Sequence, residues 1–185
     1  MSDVSAAIWI GYTTRYREGG PKFERAAHTL AAEKRREFPG LVVRCECVES
    51  KAEFLAAMRR VEEAGLTLRE LHLIVHSGMY GPMFGSVAWP EQFSPHEWRT
   101  MKLPLGTGAE AFFHACRSAR WFAPFFARTF GVPAHGYHWY TTVSSAPDKF
   151  RWDRLVGPKA PLYIFGMPGR KSHGVPGSVR KYLGL

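Results

Sequence analysis

Cysteine and long apolar runs are scarce in this sequence, and each shortage excludes a class of protein. Only 3 of the 185 residues are cysteine, an odd number without the paired spacing of a disulfide-stabilised secreted scaffold. No apolar stretch approaches the roughly 20 residues that a membrane-spanning helix requires. The amino-terminal residues have neither the basic start nor the apolar length of a secretory signal. We therefore expect a soluble cytoplasmic protein with no membrane partner.

Acidic residues are scarce in the second part of the chain. Residues 1–100 contain 13 Lys and Arg against 13 Asp and Glu, whereas residues 101–185 contain 12 against 3. The net charge of +9 therefore belongs entirely to the second part. A positive field of this kind favours acidic substrates, small anionic ligands or nucleic acid. A solvated basic surface, including the basic tail at about 168–185, is the alternative explanation.

Metal and cofactor motifs are also lacking. Cys45 and Cys47 lie two apart on a predicted strand, and the two further ligands of a zinc site are missing. His72 and His76 would lie about 13 Å apart on a strand, too far to share one metal. The glycine-rich stretch "SGMYGPMFG" lacks the Lys and Ser or Thr of a phosphate-binding loop. We therefore expect no metal and no cofactor.

Short apolar runs alternate with amphipathic stretches along the chain, which predicts parallel βαβ units. The expected fold is a single α/β domain over residues 1–185, a three-layer sandwich with a mainly parallel six-stranded sheet. Pro124 predicts that the interior of the last predicted helix is irregular. Residues 141–160 are predicted to form a loop. The predicted strands are 6–12, 41–48, 69–76, 110–116, 132–140 and 161–167, and the predicted helices are 21–38, 51–65, 94–101 and 118–131.

Two side chains capable of acid–base or nucleophilic chemistry follow neighbouring predicted strands. His76 ends the third strand and Cys116 ends the fourth, and ligands bind at the carboxyl ends of strands in such sheets. An imidazole can accept the proton of a thiol, and the predicted helix that follows Cys116 would stabilise a thiolate. The pattern therefore predicts a nucleophile and its base. A buried cysteine and a hydrogen-bonded structural histidine are the alternative interpretation.

The motifs around these two residues resemble those of the caspase-like cysteine peptidases, which include caspases, metacaspases, gingipains, separases and the bacterial CHAT proteins. The stretch "HACRS" at 114–118 resembles the caspase motif "QACRG", and "HSG" at 76–78 is similar to the histidine motif "HxG". In element order the resemblance covers roughly residues 6–166. It implies the α/β sandwich of that family and cysteine endopeptidase activity on proteins or peptides.

The resemblance also implies roles for individual residues. Cys116 would be the nucleophile and His76 the general acid and base, and the amides of Gly78 and Cys116 would form the oxyanion hole. The chain departs from the caspase motif at His114 and Ser118.

These two positions, together with Ser77, become candidate substrate contacts. Arg151 and Arg154 are candidates for binding an acidic substrate residue, and an acidic or uncharged residue before the cleaved bond is expected. Cleavage after a basic residue would instead need an acidic pocket, for which Glu110, Asp148 and Asp153 are the candidates.

Two other functions remain open at this point. The chain could use the fold as a catalytically inactive binding or scaffold module, or bind anions or nucleic acid with its basic second part. Nucleic acid is the less favoured partner, because the aromatic cluster in 121–130 is typical of a core rather than of a base-stacking surface. For a peptidase, the partners would be a protein or peptide substrate and an activating partner or small anionic ligand.

Overall fold

The centre of the fold is a sheet of five parallel strands. The computed structural model describes residues 5–145, 160–166 and 179–182. In spatial order the parallel strands are β5-β4-β3-β1-β2, and a short strand, β8, pairs antiparallel with β5 at the edge. The bounds in chain order are β1 Ser5–Tyr12, β2 Val42–Cys47, β3 Leu66–Ile74, β4 Leu105–His114, β5 Ala134–Tyr137, β6 Thr141–Ser144, β7 Tyr163–Gly166 and β8 Val179–Tyr182.

Helices cover both faces of this sheet, an arrangement compatible with a three-layer sandwich. Helix α1 packs its small residues Ala27 and Ala31 against the isoleucines of β1 on one face. The other three helices share a larger apolar cluster with the opposite face. Within the described ranges, none of the helices has the length and apolar character needed to cross a bilayer. The helices are α1 Gly20–Glu37, α2 Lys51–Glu63, α3 Pro95–Thr100 and α4 Phe122–Phe130.

The last helix begins later than the sequence pattern predicts. Residues 117–121 form turns, and α4 starts at Phe122. Pro124 therefore lies in the first turn, where a backbone N–H has no partner within the helix and its absence costs no hydrogen bond. Pro124 does not disrupt α4, and the helix runs regularly to Gly131, which adopts the left-handed conformation that ends it.

The predicted sixth strand is real but belongs to a different sheet. Tyr163–Gly166 (β7) pairs antiparallel with Thr141–Ser144 (β6), outside the central sheet. Residues 141–144, predicted as loop, are therefore a strand. The apolar run "PLYIFGM" indicates an extended segment, but nothing in its own residues specifies which strand it pairs with.

The pairing of β3 with β4 determines where the candidate catalytic residues lie. Ile74 is the register partner of His114 in this parallel pair. His76 and Cys116 each follow that pair by two residues, so both leave the sheet at the same edge. The expectation that these two strands are neighbours is confirmed.

An aromatic cluster beneath this edge packs α3 and α4 onto the sheet. Trp98 is fully buried, and its ring centre lies 5.0 Å from that of Phe93 and 5.2 Å from that of Phe122. Phe122 also contacts Phe113 of β4, with 4.6 Å between ring centres. The position of β4, and of the residues that follow it, therefore depends on this cluster.

Replacement of Trp98 by alanine should remove the centre of the cluster. We expect Trp98→Ala to lower the free energy of unfolding by about 3–5 kcal/mol, through lost burial and the cavity left behind. Urea denaturation followed by circular dichroism measures this. The matched control is Trp89→Ala, since Trp89 is 82% exposed, and equal losses in the two variants would contradict the packing described here.

Candidate active site

His76 is held in one orientation by residues of the β1–α1 loop and of α1. Its Nε2 lies 3.0 Å from the backbone carbonyl oxygen of Glu18, which can only accept a hydrogen bond, so Nε2 carries the proton. The rings of Tyr16 and Phe23 pack against the imidazole, with ring centres 5.8 and 5.0 Å away. In the neutral ring Nδ1 is then unprotonated and available as a base.

Cys116 is partly buried two residues beyond the end of β4. Its Sγ accepts a hydrogen bond from the backbone N–H of Thr141 at 3.3 Å and lies 3.4 Å from the hydroxyl oxygen of the same residue. Strand β6 therefore begins directly against the sulfur. The helix expected to stabilise a thiolate is not adjacent, because α4 starts six residues after Cys116.

His76 and Cys116 together line two adjoining cavities. The first, the α1-side cavity, measures about 160 Å³ and borders the antiparallel pair of β6 and β7. The second, the arginine cleft, measures about 700 Å³ and opens towards α4. The other lining residues of the α1-side cavity are Glu18, Gly19, Lys22, Phe23, Val75, His114, Thr141, Thr142, Val143 and Ile164. Those of the arginine cleft are Arg17, Ser77, Gly78, Met79, Arg117, Arg120, Trp121, Phe122 and Tyr140.

Two of the cleft arginines have strained backbone. Arg17 and Arg117 adopt φ angles of 61° and 57°, and they are the only non-glycine residues in the described part of the chain with positive φ. Such conformations cost about 1–3 kcal/mol each and are concentrated at functional sites. Among the described residues, no Asp or Glu side chain lines this cleft. The arginine cleft is therefore a positively charged site beside Cys116.

Aromatic rings orient the guanidinium groups in this cleft. The guanidinium of Arg117 stacks over the ring of Tyr140 at 4.5 Å and donates to its hydroxyl oxygen. Arg120 lies 4.2 Å from the ring centre of Trp139, and its Nε donates to the carbonyl oxygen of His138 at 2.9 Å. Both side chains are exposed, so stacking positions their charge without enclosing it.

A buried carboxylate fixes the loop that holds His76. Glu49 accepts hydrogen bonds from the backbone N–H of Thr14 at 2.8 Å, from its hydroxyl, and from the N–H of Arg15 at 3.2 Å. The backbone carbonyl of Glu49 also accepts from the N–H of Gly85 at 2.6 Å. Glu49 therefore ties the β1–α1 loop to the segment that follows His76.

The predicted substrate contacts fall in different places. Ser77 and Gly78 line the arginine cleft and pair with Gly81–Pro82 in a short antiparallel ladder. His114 lines the α1-side cavity. Arg151 and Arg154, like the possible counter-charges Asp148 and Asp153, lie outside the described residues. The oxyanion-hole role of the Gly78 and Cys116 amides stays a prediction.

Ser118 does not contact the cleft, so its expected contact with substrate is corrected. It is 2% exposed. Its hydroxyl lies 2.9 Å from the carbonyl oxygen of Phe113 and 2.8 Å from that of Ala115, and it accepts from the N–H of Tyr137 at 3.1 Å. Ser118 instead stabilises the turn that carries Cys116.

Comparisons with models of protein families, with curated proteins and with solved structures gave no match to this chain. Within the described residues, no group of three His, Cys, Asp or Glu side chains converges as metal ligands would.

Sequence reasoning did not identify Arg17, Arg120, Glu18 or Thr141 as parts of the site. Glu18 acts through its backbone carbonyl, which any residue type would supply, so no side-chain pattern could have revealed it. Arg17 lies in "TTRYREGG", between a predicted strand and a predicted helix. The one sequence feature that pointed to Arg17 was its position after the carboxyl end of a predicted strand, where ligands bind in α/β sheets.

Substitution of Glu49 should give a pH-dependent loss of stability. Burial alone would raise the pKa of Glu49, but hydrogen bonds from Thr14, Cys47 and Arg15 outweigh this and lower the pKa below its usual 4.5. A lowered folded-state pKa contributes stability above pH 4.5 that is lost as pH falls through the folded value. We expect Glu49→Gln to cost about 1–3 kcal/mol at pH 7 and less at pH 3.5.

Urea unfolding of the wild type and Glu49→Gln at both pH values measures this. Glu62→Gln, on the exposed side of α2, is the matched control and should change little at either pH. If Glu49→Gln lowered the free energy of unfolding by the same amount at pH 7 and at pH 3.5, the assignment of an ionised, hydrogen-bonded carboxylate would be contradicted.

Proposed function

We propose that this protein is a cysteine endopeptidase of the caspase-like type, with Cys116 as the nucleophile and His76 as the general acid and base. The observation that carries this proposal is the shared position of the two residues. They follow a paired position of neighbouring parallel strands and line the same two cavities. The orientation of His76 supports it further, since Glu18 leaves Nδ1 free to accept a proton.

The chemistry follows from these groups. The sulfur of Cys116 bonds to the substrate carbonyl carbon, its proton passes to His76, and the carbonyl π electrons move to oxygen. Backbone amides of Gly78 and Cys116 are the proposed donors to that oxyanion. When the tetrahedral intermediate collapses, the C–N bond breaks and the leaving amine takes the proton from His76. Water, deprotonated by His76, then hydrolyses the thioester and regenerates the thiol.

The finer identity of the fold belongs to the same proposal. The central sheet has five parallel strands, and β8 pairs antiparallel with β5 at its edge. We propose that this is the sheet of a caspase-like sandwich. The N–H of Thr141 is directed at Cys116 rather than at β7, so one edge of β6 borders the α1-side cavity. An extended peptide could add to this edge as a further strand and place its carbonyl beside the sulfur.

The charge of the arginine cleft favours acidic peptides. Arg17, Arg117 and Arg120 line it together with exposed aromatic rings, and no described carboxylate competes for them. Guanidinium groups bind carboxylates through charge-assisted hydrogen bonds. The expected preference for an acidic substrate residue therefore no longer depends on Arg151 and Arg154 alone. Arg17, Arg117 and Arg120 supply the positive charge in the described part of the chain. We propose that an Asp or Glu close to the cleaved bond occupies this cleft.

Reaction with a thiol-directed probe should distinguish Cys116 from the other two cysteines. Burial raises the pKa of Cys45 to about 11, and burial together with the carboxylate of Glu49 raises the pKa of Cys47 to about 12. Neither forms a thiolate at neutral pH. We expect a peptidyl acyloxymethyl ketone to label only Cys116, as read by peptide mass spectrometry, with labelling abolished in Cys116→Ala and retained in Cys47→Ala.

Hydrolysis of a peptide library should depend on both residues of the pair. Cys116→Ala should be inactive, and His76→Ala should lose about 10²–10⁴-fold in kcat/KM because the acid and base is gone. Wild-type turnover equal to that of Cys116→Ala would reject the enzyme and favour an inactive binding module with this fold.

Substitutions in the arginine cleft should alter specificity while leaving the reacting groups intact. We expect the double variant Arg117→Gln, Arg120→Gln to lower kcat/KM about tenfold or more for peptides with an acidic residue near the cleaved bond. Matched peptides with glutamine at that position should be nearly unaffected. Arg128→Gln, on the exposed side of α4, is the control, and an equal loss on both peptides would contradict a role in charge recognition.

A further inference from the structure

A chain of hydrogen bonds crosses the α1 face of the sheet and ends at the α1-side cavity. Lys34 of α1 lies 2.9 Å from Glu70 Oε2. The same oxygen lies 2.8 Å from His72 Nε2, and His72 Nδ1 lies 3.1 Å from His114 Nε2. The two imidazole rings are parallel to within 8°. The catalytic scheme proposed above does not use any of these four side chains.

The carboxylate at the start of this chain fixes where the protons lie. Burial alone would raise the pKa of Glu70, but hydrogen bonds from His72 and Lys34 outweigh it and lower the pKa to about 2. Burial lowers the pKa of His72, and burial lowers that of His114 to about 3. Near neutral pH Glu70 is therefore ionised and both histidines are neutral.

With these charges, only one tautomer of each imidazole, His72 and His114, is compatible with the chain of hydrogen bonds. The Glu70 carboxylate can only accept, so His72 Nε2 carries the proton and His72 Nδ1 is an acceptor. His114 Nε2 must then donate to it. That leaves His114 Nδ1 without a proton, as a hydrogen-bond acceptor.

This Nδ1 has no partner in the described part of the protein. It is buried from solvent and makes no hydrogen bond, and His114 is one of the residues that line the α1-side cavity beside Cys116. His114 is the last residue of β4, and Cys116 follows it by two residues. An unpaired buried acceptor is costly, and a ligand donor that reached Nδ1 from the cavity would relieve that cost.

We propose that Lys34, Glu70 and His72 hold His114 as a hydrogen-bond acceptor, so that the α1-side cavity selects a substrate residue with a neutral amide side chain, glutamine or asparagine. The inference rests on the proposed peptidase function. A substrate carboxylate would place one acceptor against another, and a hydrocarbon side chain would leave His114 Nδ1 unpaired. The lining contains one cation, Lys22, and one carboxylate, Glu18, so it offers no net charge to select a charged side chain.

The tautomer of His114 can be tested without any peptidase activity. Long-range ¹H–¹⁵N NMR of the wild-type protein should show His114 protonated at Nε2 and bare at Nδ1. In Glu70→Gln the side-chain amide can donate or accept, so His114 should become a mixture of tautomers. The control is Glu37→Gln, which removes only the exposed partner of Lys34 at 3.0 Å and should leave a single tautomer. Protonation at Nδ1 in the wild type would overturn the proposal.

The selectivity is tested with paired peptides that differ only in glutamine or its hydrocarbon counterpart norleucine at successive positions. Binding is measured to Cys116→Ala and cleavage with the wild type. At one position glutamine should be favoured about tenfold or more, the cost of leaving one buried acceptor unpaired. His114→Leu should abolish that preference. His114→Asn, whose Oδ1 takes the place of Nδ1, should restore most of it.

The outcomes separate the two proposals. A glutamine preference in binding to Cys116→Ala that depends on His114, without cleavage of any peptide by the wild type, would reject the peptidase and keep the selectivity. Cleavage that depends on Cys116 but treats glutamine and norleucine alike at every position would reject the selectivity and keep the peptidase.

Discussion

The parallel pairing of β3 with β4 is the constraint on which the rest of the site depends. Because Ile74 stands opposite His114, the chain leaves both strands at the same edge, and His76 and Cys116 emerge side by side. A shift of one residue in this register would turn every side chain of β4 to the other face. The register is held by burial, since Leu71, Leu73 and Phe113 lie in the larger apolar cluster while Ile74 lies in the smaller one.

Each loop around this edge is then positioned by polar contacts rather than by packing alone. The carboxylate of Glu49 ties down the β1–α1 loop, and that loop presents the Glu18 carbonyl to His76. Ser118 stabilises the turn after Cys116. The result is a thiol and an imidazole between two cavities of different character, one larger and lined by three arginines, the other smaller and lined in part by His114.

The alternation of strands and helices was sufficient to predict the α/β class and the neighbouring positions of His76 and Cys116, because hydrophobic periodicity reports burial directly. It was not sufficient for β6 and β7, whose pairing depends on contacts distant in sequence. The start of α4 was predicted four residues too early, since the apolar pattern continues through the turn before it. Ser118 was interpreted as a substrate contact because a motif position does not reveal whether a hydroxyl faces the cleft or the backbone beneath it.

The central claim is that Cys116 forms a covalent acyl intermediate with a peptide. Rapid-quench mass spectrometry with a reactive peptide ester tests it most directly. The account predicts that Cys116 gains the mass of the acyl portion of the ester within the first turnover and loses it on hydrolysis. An absence of adduct while the ester is hydrolysed, or an adduct only on another residue, would contradict it.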